Sequence, residues 1–344
     1  MLDAIPSSRQ TERAAVHDRF DARSPASSQR TVDQVERAAV VIERPGEVRL
    51  RGLGLRAREA DEVLIEVQWS GISTGTERLL WSGAMPPFPG LSYPLVPGYE
   101  SVGRVVEPAG DLQEGELVFV PGAQGHVGAA SLFGASAGRV LARSERLHRI
   151  DPEWGSDAAL LALAATAYHA VERCSGTPEL IVGHGVLGRL LARVTIALGH
   201  PSPTVWERSA TRREPADAYE VIDPKTDRRQ DYRFAVDVSG DNAVMDGIVG
   251  HCARGAEIVL AGFYGAPLSL TFPPAFMREV SFAVSAEFTH SDVAAVLQLV
   301  RSGQLSLAGL VSHVAPAADA ARAYATAFED PHCLKMILDW SDAR

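Results

Sequence analysis

The chain has 344 residues, 46% hydrophobic and 22% charged, with a formal net charge of −10. These are the proportions of a globular protein of about two domains, and an acidic chain with no dense basic cluster excludes nucleic acid as a partner. Cys174, Cys252 and Cys333 stand far apart with no CxxC, which excludes a disulfide framework or a metal knuckle. No apolar run approaches the roughly 20 residues that cross a bilayer, and the N-terminus has no basic start ahead of an apolar core, so the expected location is cytoplasmic.

Residues 1–36 are rich in Ser, Arg, Gln, Asp and Ala and hold few large apolar side chains, so they read as a flexible extension that buries little surface. From Ala38 the texture changes. Ala38–Ile42, Glu47–Arg51, Asp61–Ser70, Gly98–Glu107, Glu116–Val120 and Ala137–Ala142 are predicted strands, punctuated by Gly and Pro, as in a small twisted β domain spanning 37–155. Asp157–Cys174 is a predicted long Ala/Leu-rich helix bridging to a second domain, 156–306. There strands at Leu180–Val182, Thr204–Trp206, Tyr219–Ile222, Phe234–Val238, Glu257–Ala261 and Val280–Ser285 alternate with helices such as Asn242–His251 and Ser291–Ser302. That alternation predicts a doubly wound α/β sheet. The tail, 307–344, carries a strand (Val311–Val314), a helix (Ala317–Phe328) and a last strand (Leu334–Leu338), expected to return to the first domain.

The chain is organised around Gly183-His184-Gly185-Val186-Leu187-Gly188. A GxGxxG that follows a strand, opens a helix and precedes an acid ending the next strand is a dinucleotide fingerprint. Gly183 permits the tight turn, Gly185 lets backbone approach a pyrophosphate, and Gly188 lets helix and strand pack closely. His184, Val186 and Leu187 fill the remaining positions of the turn, and the helix N-terminus presents free N–H groups to the phosphates. Glu207, at the end of the second strand, accepts from ribose hydroxyls and repels a 2′-phosphate, which argues for NAD. Arg208, Arg212 and Arg213 follow it and pull the other way. Ser239, Gly262 and Phe263 close later strands of the sheet, where ligands of such folds bind.

This order resembles the medium-chain dehydrogenase/reductase superfamily: a GroES-like β domain, a Rossmann domain and a returning C-terminus, over roughly residues 38–340. Within it, Gly71-Ile-Ser-Thr-Gly-Thr-Glu77 through Gly90, followed by Tyr93–Gly103, resembles the bacteriochlorophyllide a dehydrogenase family. That resemblance implies NAD-dependent oxidation of the C3 1-hydroxyethyl group of a magnesium chlorin or bacteriochlorin to acetyl, a homodimer, and handover of a poorly soluble pigment at a membrane surface or from pathway enzymes. Zinc members of the superfamily carry Cys-Gly-(Thr/Ser)-Asp where this chain has Thr74-Gly75-Thr76-Glu77, and Gly-His-Glu where it has Gly98-Tyr99-Glu100. Their third ligand falls on Ala162. Threonine and alanine offer no thiolate or imidazole, so no zinc is expected.

Without a metal, a side chain must take the alcohol proton. Thr76 stands at the superfamily's relay position, and Tyr99 replaces a ligand histidine. Tyr99 is either in the relay or fills vacated volume. Thr74 is a relay or a turn residue, and Glu100 either joins the site or orders a neighbouring group. His126 and His169 are candidate axial ligands of a substrate magnesium, or ordinary hydrogen bonders. Trp81 and the loop to Tyr93 are a candidate wall for a flat ring, or loop packing. Two other functions stay open at this point: a zinc-free quinone or enone reductase, and a non-catalytic NAD-binding sensor or structural protein.

Overall fold

The computed structural model describes residues 33–87, 89–214 and 218–343, so most of the extension read at 1–36 lies outside the described residues. The first strand, Asp33–Arg44, already opens within that stretch, five residues before Ala38, because Glu47–Leu55 is long enough to pair it from end to end. Together with Leu95–Val96 and Ala130–Ser131 they form a four-stranded sheet.

A seven-stranded sheet packs against it. Its order is His313–Pro316, Met336–Asp339, Glu62–Ile72, Ser101–Glu107, Leu117–Val120 and His148–Arg149, with Arg139–Arg143 also paired to Glu62–Ile72. Ile42, Ile65, Val118, Leu338 and Trp340 fill the space between the two sheets. The tail belongs here: Met336–Asp339 runs antiparallel to Glu62–Ile72, with Leu338 opposite Ser70. Each of these apolar strands gains a covered face only by this return, since a lone hairpin is marginal in water.

The third sheet is wholly parallel, ordered Glu220–Ile222, Thr204–Trp206, Leu180–Val182, Tyr232–Asp237, Cys252–Leu260, Ser281–Val284. Numbered by sequence, this is 3-2-1-4-5-6, the dinucleotide-fold order, whose switch point lies between Leu180–Val182 and Tyr232–Asp237. Helix Leu161–Arg173 covers one face, packed against Val186–Ala197 and His290–Arg301. Its alanines permit that close approach: Ala162, Ala164, Ala165, Ala167 and Ala170 are all fully buried.

The bridging helix differs from expectation at its start. Residues Pro152–Leu160 run as 3₁₀ turns broken at Gly155 (φ 51°), and the α-helix begins at Leu161, a tightening common where a chain enters a helix. Two short helices escaped the periodicity reading. Thr76–Ser82 is only seven residues and ends on left-handed Gly83, while Phe272–Arg278 carries prolines in its first turn, where a missing N–H costs nothing. No helix among the described residues is long and apolar enough to cross a membrane.

Candidate active site

The switch point is a cleft of about 2480 Å³, larger than the ~300–1,000 Å³ of an ordinary small-molecule pocket. One wall comes from the β half: Ser73, Thr74, Thr76, Tyr99 and Phe133. The other comes from the parallel sheet: Gly183–Gly188, Glu207, Arg208, Ser239, Gly262 and Phe263. Leu163 and Thr166 of the bridging helix also face it.

Each glycine of the turn has its own reason. Gly183 leaves its strand at φ 105°, and a Cβ there would lie 3.1 Å from the Ser239 backbone, where the ends of two strands pass closely. A Cβ on Gly188 would stand 1.8 Å from the Gly183 carbonyl oxygen, so the helix can sit this near its strand only without one. Gly185 is different. Its φ is −72°, which any residue adopts, and a Cβ would meet no protein atom within 4 Å. Neither strain nor packing requires glycine at 185. The space a side chain would fill is the approach to the N-terminus of helix Val186–Ala197, the place where a dinucleotide phosphate sits in this fold.

The acid that follows is held against this turn. Glu207 accepts from the His184 N–H at 3.2 Å and from the Ser209 N–H at 2.8 Å. The three arginines after it are committed elsewhere. Arg208 pairs with Asp241 at 2.7 Å, Arg213 donates to the Glu207 and Arg208 carbonyls, and Arg212 donates to the Pro331 carbonyl. The His184 imidazole is fully buried, with Nδ1 2.6 Å from the Arg212 carbonyl and Nε2 3.0 Å from the Tyr219 hydroxyl; burial pushes its pKa down to about 4, so it is neutral. The buried Arg189 donates to the His184, Arg212 and Glu214 carbonyls. His184 and Arg189 thus fasten the loop after Glu207 to the turn. Asp237, also buried, does the same at the neighbouring strand end: it accepts from the Ser239 N–H and the Tyr264 hydroxyl. Sequence reasoning missed Arg189 and Asp237, since an arginine on a helix and an acid ending a strand carry no local mark of burial.

On the opposite wall, Tyr99 is half-buried and packs edge-on to Phe133 at 5.2 Å. Its hydroxyl is 2.7 Å from Ser73 Oγ. Burial, with the Glu100 charge, holds the phenol well above its ordinary range, so it stays protonated. Thr74 and Thr76 are half-buried on the same wall; Thr76 opens the short helix, and its hydroxyl also interacts with that of Tyr99. Ser73 went unnoticed in the sequence because nothing local ties it to Tyr99.

Glu100 does not belong to the cleft. Its side chain is wholly buried behind the wall and hydrogen-bonded to the Lys335 ammonium, which also donates to the Ile72 carbonyl at 3.0 Å. Three other expected contacts turn away as well. His126 Nε2 is 2.8 Å from the Gly134 carbonyl, His169 Nδ1 is 2.9 Å from Asp292, and Trp81 packs on Phe328 at 5.4 Å; none of the three lines the cleft. Each found a closer partner inside the protein, as a half-buried imidazole or indole does. Behind the wall Glu77 is buried and accepts from the Tyr324 hydroxyl; burial pushes its carboxyl up to about 8. Ala162, at the third zinc-ligand position, is fully buried, and its carbonyl accepts from the Thr166 hydroxyl at 2.9 Å. Among the described residues, no three His, Cys, Asp or Glu side chains gather as a metal site.

The family model of the alcohol dehydrogenase GroES-like domain matches residues 59–151. The 2-desacetyl-2-hydroxyethyl bacteriochlorophyllide A dehydrogenase of Cereibacter sphaeroides is 51% identical over 310 residues, covering 88% of this chain and 98% of that one. The protein of the same name from Rhodobacter capsulatus is 49% identical over 314 residues, covering 90% of this chain and 100% of that one. Among solved structures, a short chain alcohol dehydrogenase from E. coli CFT073, complexed with its cofactor NADH, superposes with a TM-score of 0.75 at 18% identity over 89% of this chain and 99% of that one.

Proposed function

The chain belongs to the bacteriochlorophyllide a dehydrogenase family of the medium-chain dehydrogenase/reductase superfamily, and on that premise we propose that it oxidises the C3 1-hydroxyethyl group of a magnesium chlorin or bacteriochlorin to acetyl, with NAD as acceptor. The observation that carries the reading is the 51% identity running through both halves of the chain. The cleft supports it: a volume of about 2480 Å³ suits a macrocycle beside a dinucleotide.

The open space at Gly185 and the N-terminus of helix Val186–Ala197 fit a pyrophosphate, and Glu207 fits the ribose hydroxyls. Glu207 beside the turn favours NAD over its 2′-phosphorylated form, and Arg213 is held by the Glu207 and Arg208 carbonyls. A nicotinamide held in this cleft would supply the hydride acceptor. The chain's own work is with the proton. Tyr99 or Thr76, both on the cleft wall, relays the alcohol proton, taking it up as its own hydroxyl proton passes on toward water, and then hydrogen-bonds to the forming ketone oxygen. No metal is invoked: Thr74, Tyr99 and Ala162 stand at the ligand positions of the zinc relatives. Attachment of the alcohol carbon to a conjugated macrocycle would delocalise the positive charge that develops as hydride leaves.

The active form is a homodimer. The edge strand Ser281–Val284 and the helix Phe272–Arg278 leave Phe272, Phe276, Met277, Phe282 and Val284 exposed, an apolar edge of the kind that another chain covers. Work in the cytoplasm at the surface of a pigment-bearing membrane fits a poorly soluble substrate.

The experiment is turnover of 3-hydroxyethyl bacteriochlorophyllide a with NAD, followed by NADH formation and the red shift of the pigment band, with metal content measured on the same sample. Tyr99→Phe and Thr76→Ala should each lower kcat. Stoichiometric zinc in the active protein, or wild-type turnover in both variants, would defeat the relay. Quinone reduction with NADPH in place of pigment oxidation would favour a reductase.

A further inference from the structure

Ser73 is the first residue beyond the strand Glu62–Ile72. Its side chain is 4% exposed, yet it reaches the cleft wall. Its backbone is clamped on both sides. The Ser73 carbonyl accepts from the Glu77 N–H at 3.1 Å, and the preceding carbonyl, of Ile72, accepts from Lys335 Nζ at 3.0 Å. Tyr99 is held in turn by Phe133. Two hydroxyls from separate segments are therefore locked 2.7 Å apart, and either oxygen can be the donor. Among the described residues Ser73 Oγ has no second hydrogen bond.

We propose that Ser73 is a positioning residue for the reaction, its hydroxyl setting which way the Tyr99 proton points and passing that proton to water in the cleft. A hydroxyl carries one proton and accepts through two lone pairs. With Tyr99 donating to Ser73, the lone pairs of Tyr99 face the cleft and accept from the substrate alcohol. With Ser73 donating to Tyr99, the Tyr99 proton faces the cleft and bonds the ketone oxygen. Oxidation converts the first arrangement into the second. The carbinol C–H breaks and its hydride goes to the nicotinamide. The alcohol O–H breaks and its proton goes to Tyr99, as the Tyr99 proton moves to Ser73 and the Ser73 proton to cleft water. A C=O bond forms, and one proton is released.

The inference rests on the Tyr99 reading above, and three variants separate the two. Ser73→Ala should lower kcat about tenfold, less than the roughly 100-fold or more of a direct general acid or base because Ser73 acts through Tyr99, with KM for the pigment and Kd for NAD within about twofold of wild type. It should also diminish the solvent deuterium isotope effect on kcat. Ser73→Thr, which keeps the hydroxyl, should restore kcat to within about threefold. Ser73→Cys, matched in shape but a weak donor, should behave like Ser73→Ala and stands in for it if the alanine variant folds poorly. If Tyr99→Phe is impaired while Ser73→Ala turns over like wild type, or if Ser73→Thr is as slow as Ser73→Ala, Ser73 does not direct the proton. Wild-type turnover in Tyr99→Phe overturns both readings together.

Discussion

Replacing Gly185 by alanine separates cofactor binding from folding more cleanly than any other single change in the cleft. The backbone at 185 (φ −72°) accepts alanine, and the new methyl meets no protein atom within 4 Å. The remaining stability cost is that of a poorer N-cap, under about 1 kcal/mol. The methyl instead enters the space proposed for the pyrophosphate. A hydrogen bond to a charged group contributes about 1.5–3 kcal/mol, so displacing one raises Kd for NAD by about 10- to 100-fold at 1.4 kcal/mol per tenfold. Gly188→Ala is the control. Its methyl would lie 1.8 Å from the Gly183 carbonyl oxygen, a clash that only separation of helix and strand relieves. It should cost about 3 kcal/mol of stability and binding together. Calorimetric titration with NAD and thermal unfolding of both variants decide the matter. The reasoning fails if Gly185→Ala binds NAD like wild type, or if it loses as much stability as Gly188→Ala.

Lys335→Met should cost about 3–5 kcal/mol in urea unfolding by leaving the Glu100 carboxylate buried and unpaired, and adding Glu100→Gln should recover part of it; a loss under about 1 kcal/mol would mean that Glu100 has another partner. Stability should peak near pH 6.5. Burial holds His148 and His184 at about 4, against 6.5 when unfolded, so their contribution is complete above pH 6.5 and is lost as pH falls toward 4. Burial raises Glu77 to about 8, against 4.5 unfolded, so stability declines as pH rises between those values, by at most about 1.4 kcal/mol per pH unit. In Glu77→Gln the alkaline decline should flatten in a denaturation series across pH, and an unchanged decline would clear Glu77 of the effect. Phe276→Glu combined with Met277→Glu should sediment as a monomer at concentrations where the parent is dimeric, since both side chains are exposed on the proposed dimer edge; a persistent dimer would move the interface elsewhere.

Much of the architecture was legible because its causes are local. The glycine turn is written within six residues: Gly183 answers to its φ angle, Gly188 to the strand that the βαβ unit always sets beside its helix, and Gly185 to neither, only to the space left open at the helix N-terminus. Strand periodicity located all six strands of the parallel sheet and the longer strands of the β half, but not the two-residue strands Leu95–Val96, Ala130–Ser131 and His148–Arg149, which are too short to show a period, and the residues at the zinc-ligand positions were read one by one. What the sequence could not determine was which polar side chains face the cleft. Glu100 reads like a site residue until Lys335, 235 positions away, closes on it, and Glu77 shows its burial only once Tyr324 arrives from the C-terminal helix. His126 and His169 as axial ligands, and Trp81 as a ring wall, could be weighed only once the fold showed their partners Gly134, Asp292 and Phe328. Ser73 was silent until the fold set it 2.7 Å from Tyr99. The dinucleotide crest, the positions of the longer strands along the chain and the residues at the zinc-ligand positions were readable from sequence, since backbone conformation and residue identity are properties of short stretches. Tertiary structure alone decided the direction and protonation of the hydroxyl and carboxyl groups, because desolvation and hydrogen bonding depend on atoms brought together from distant parts of the chain.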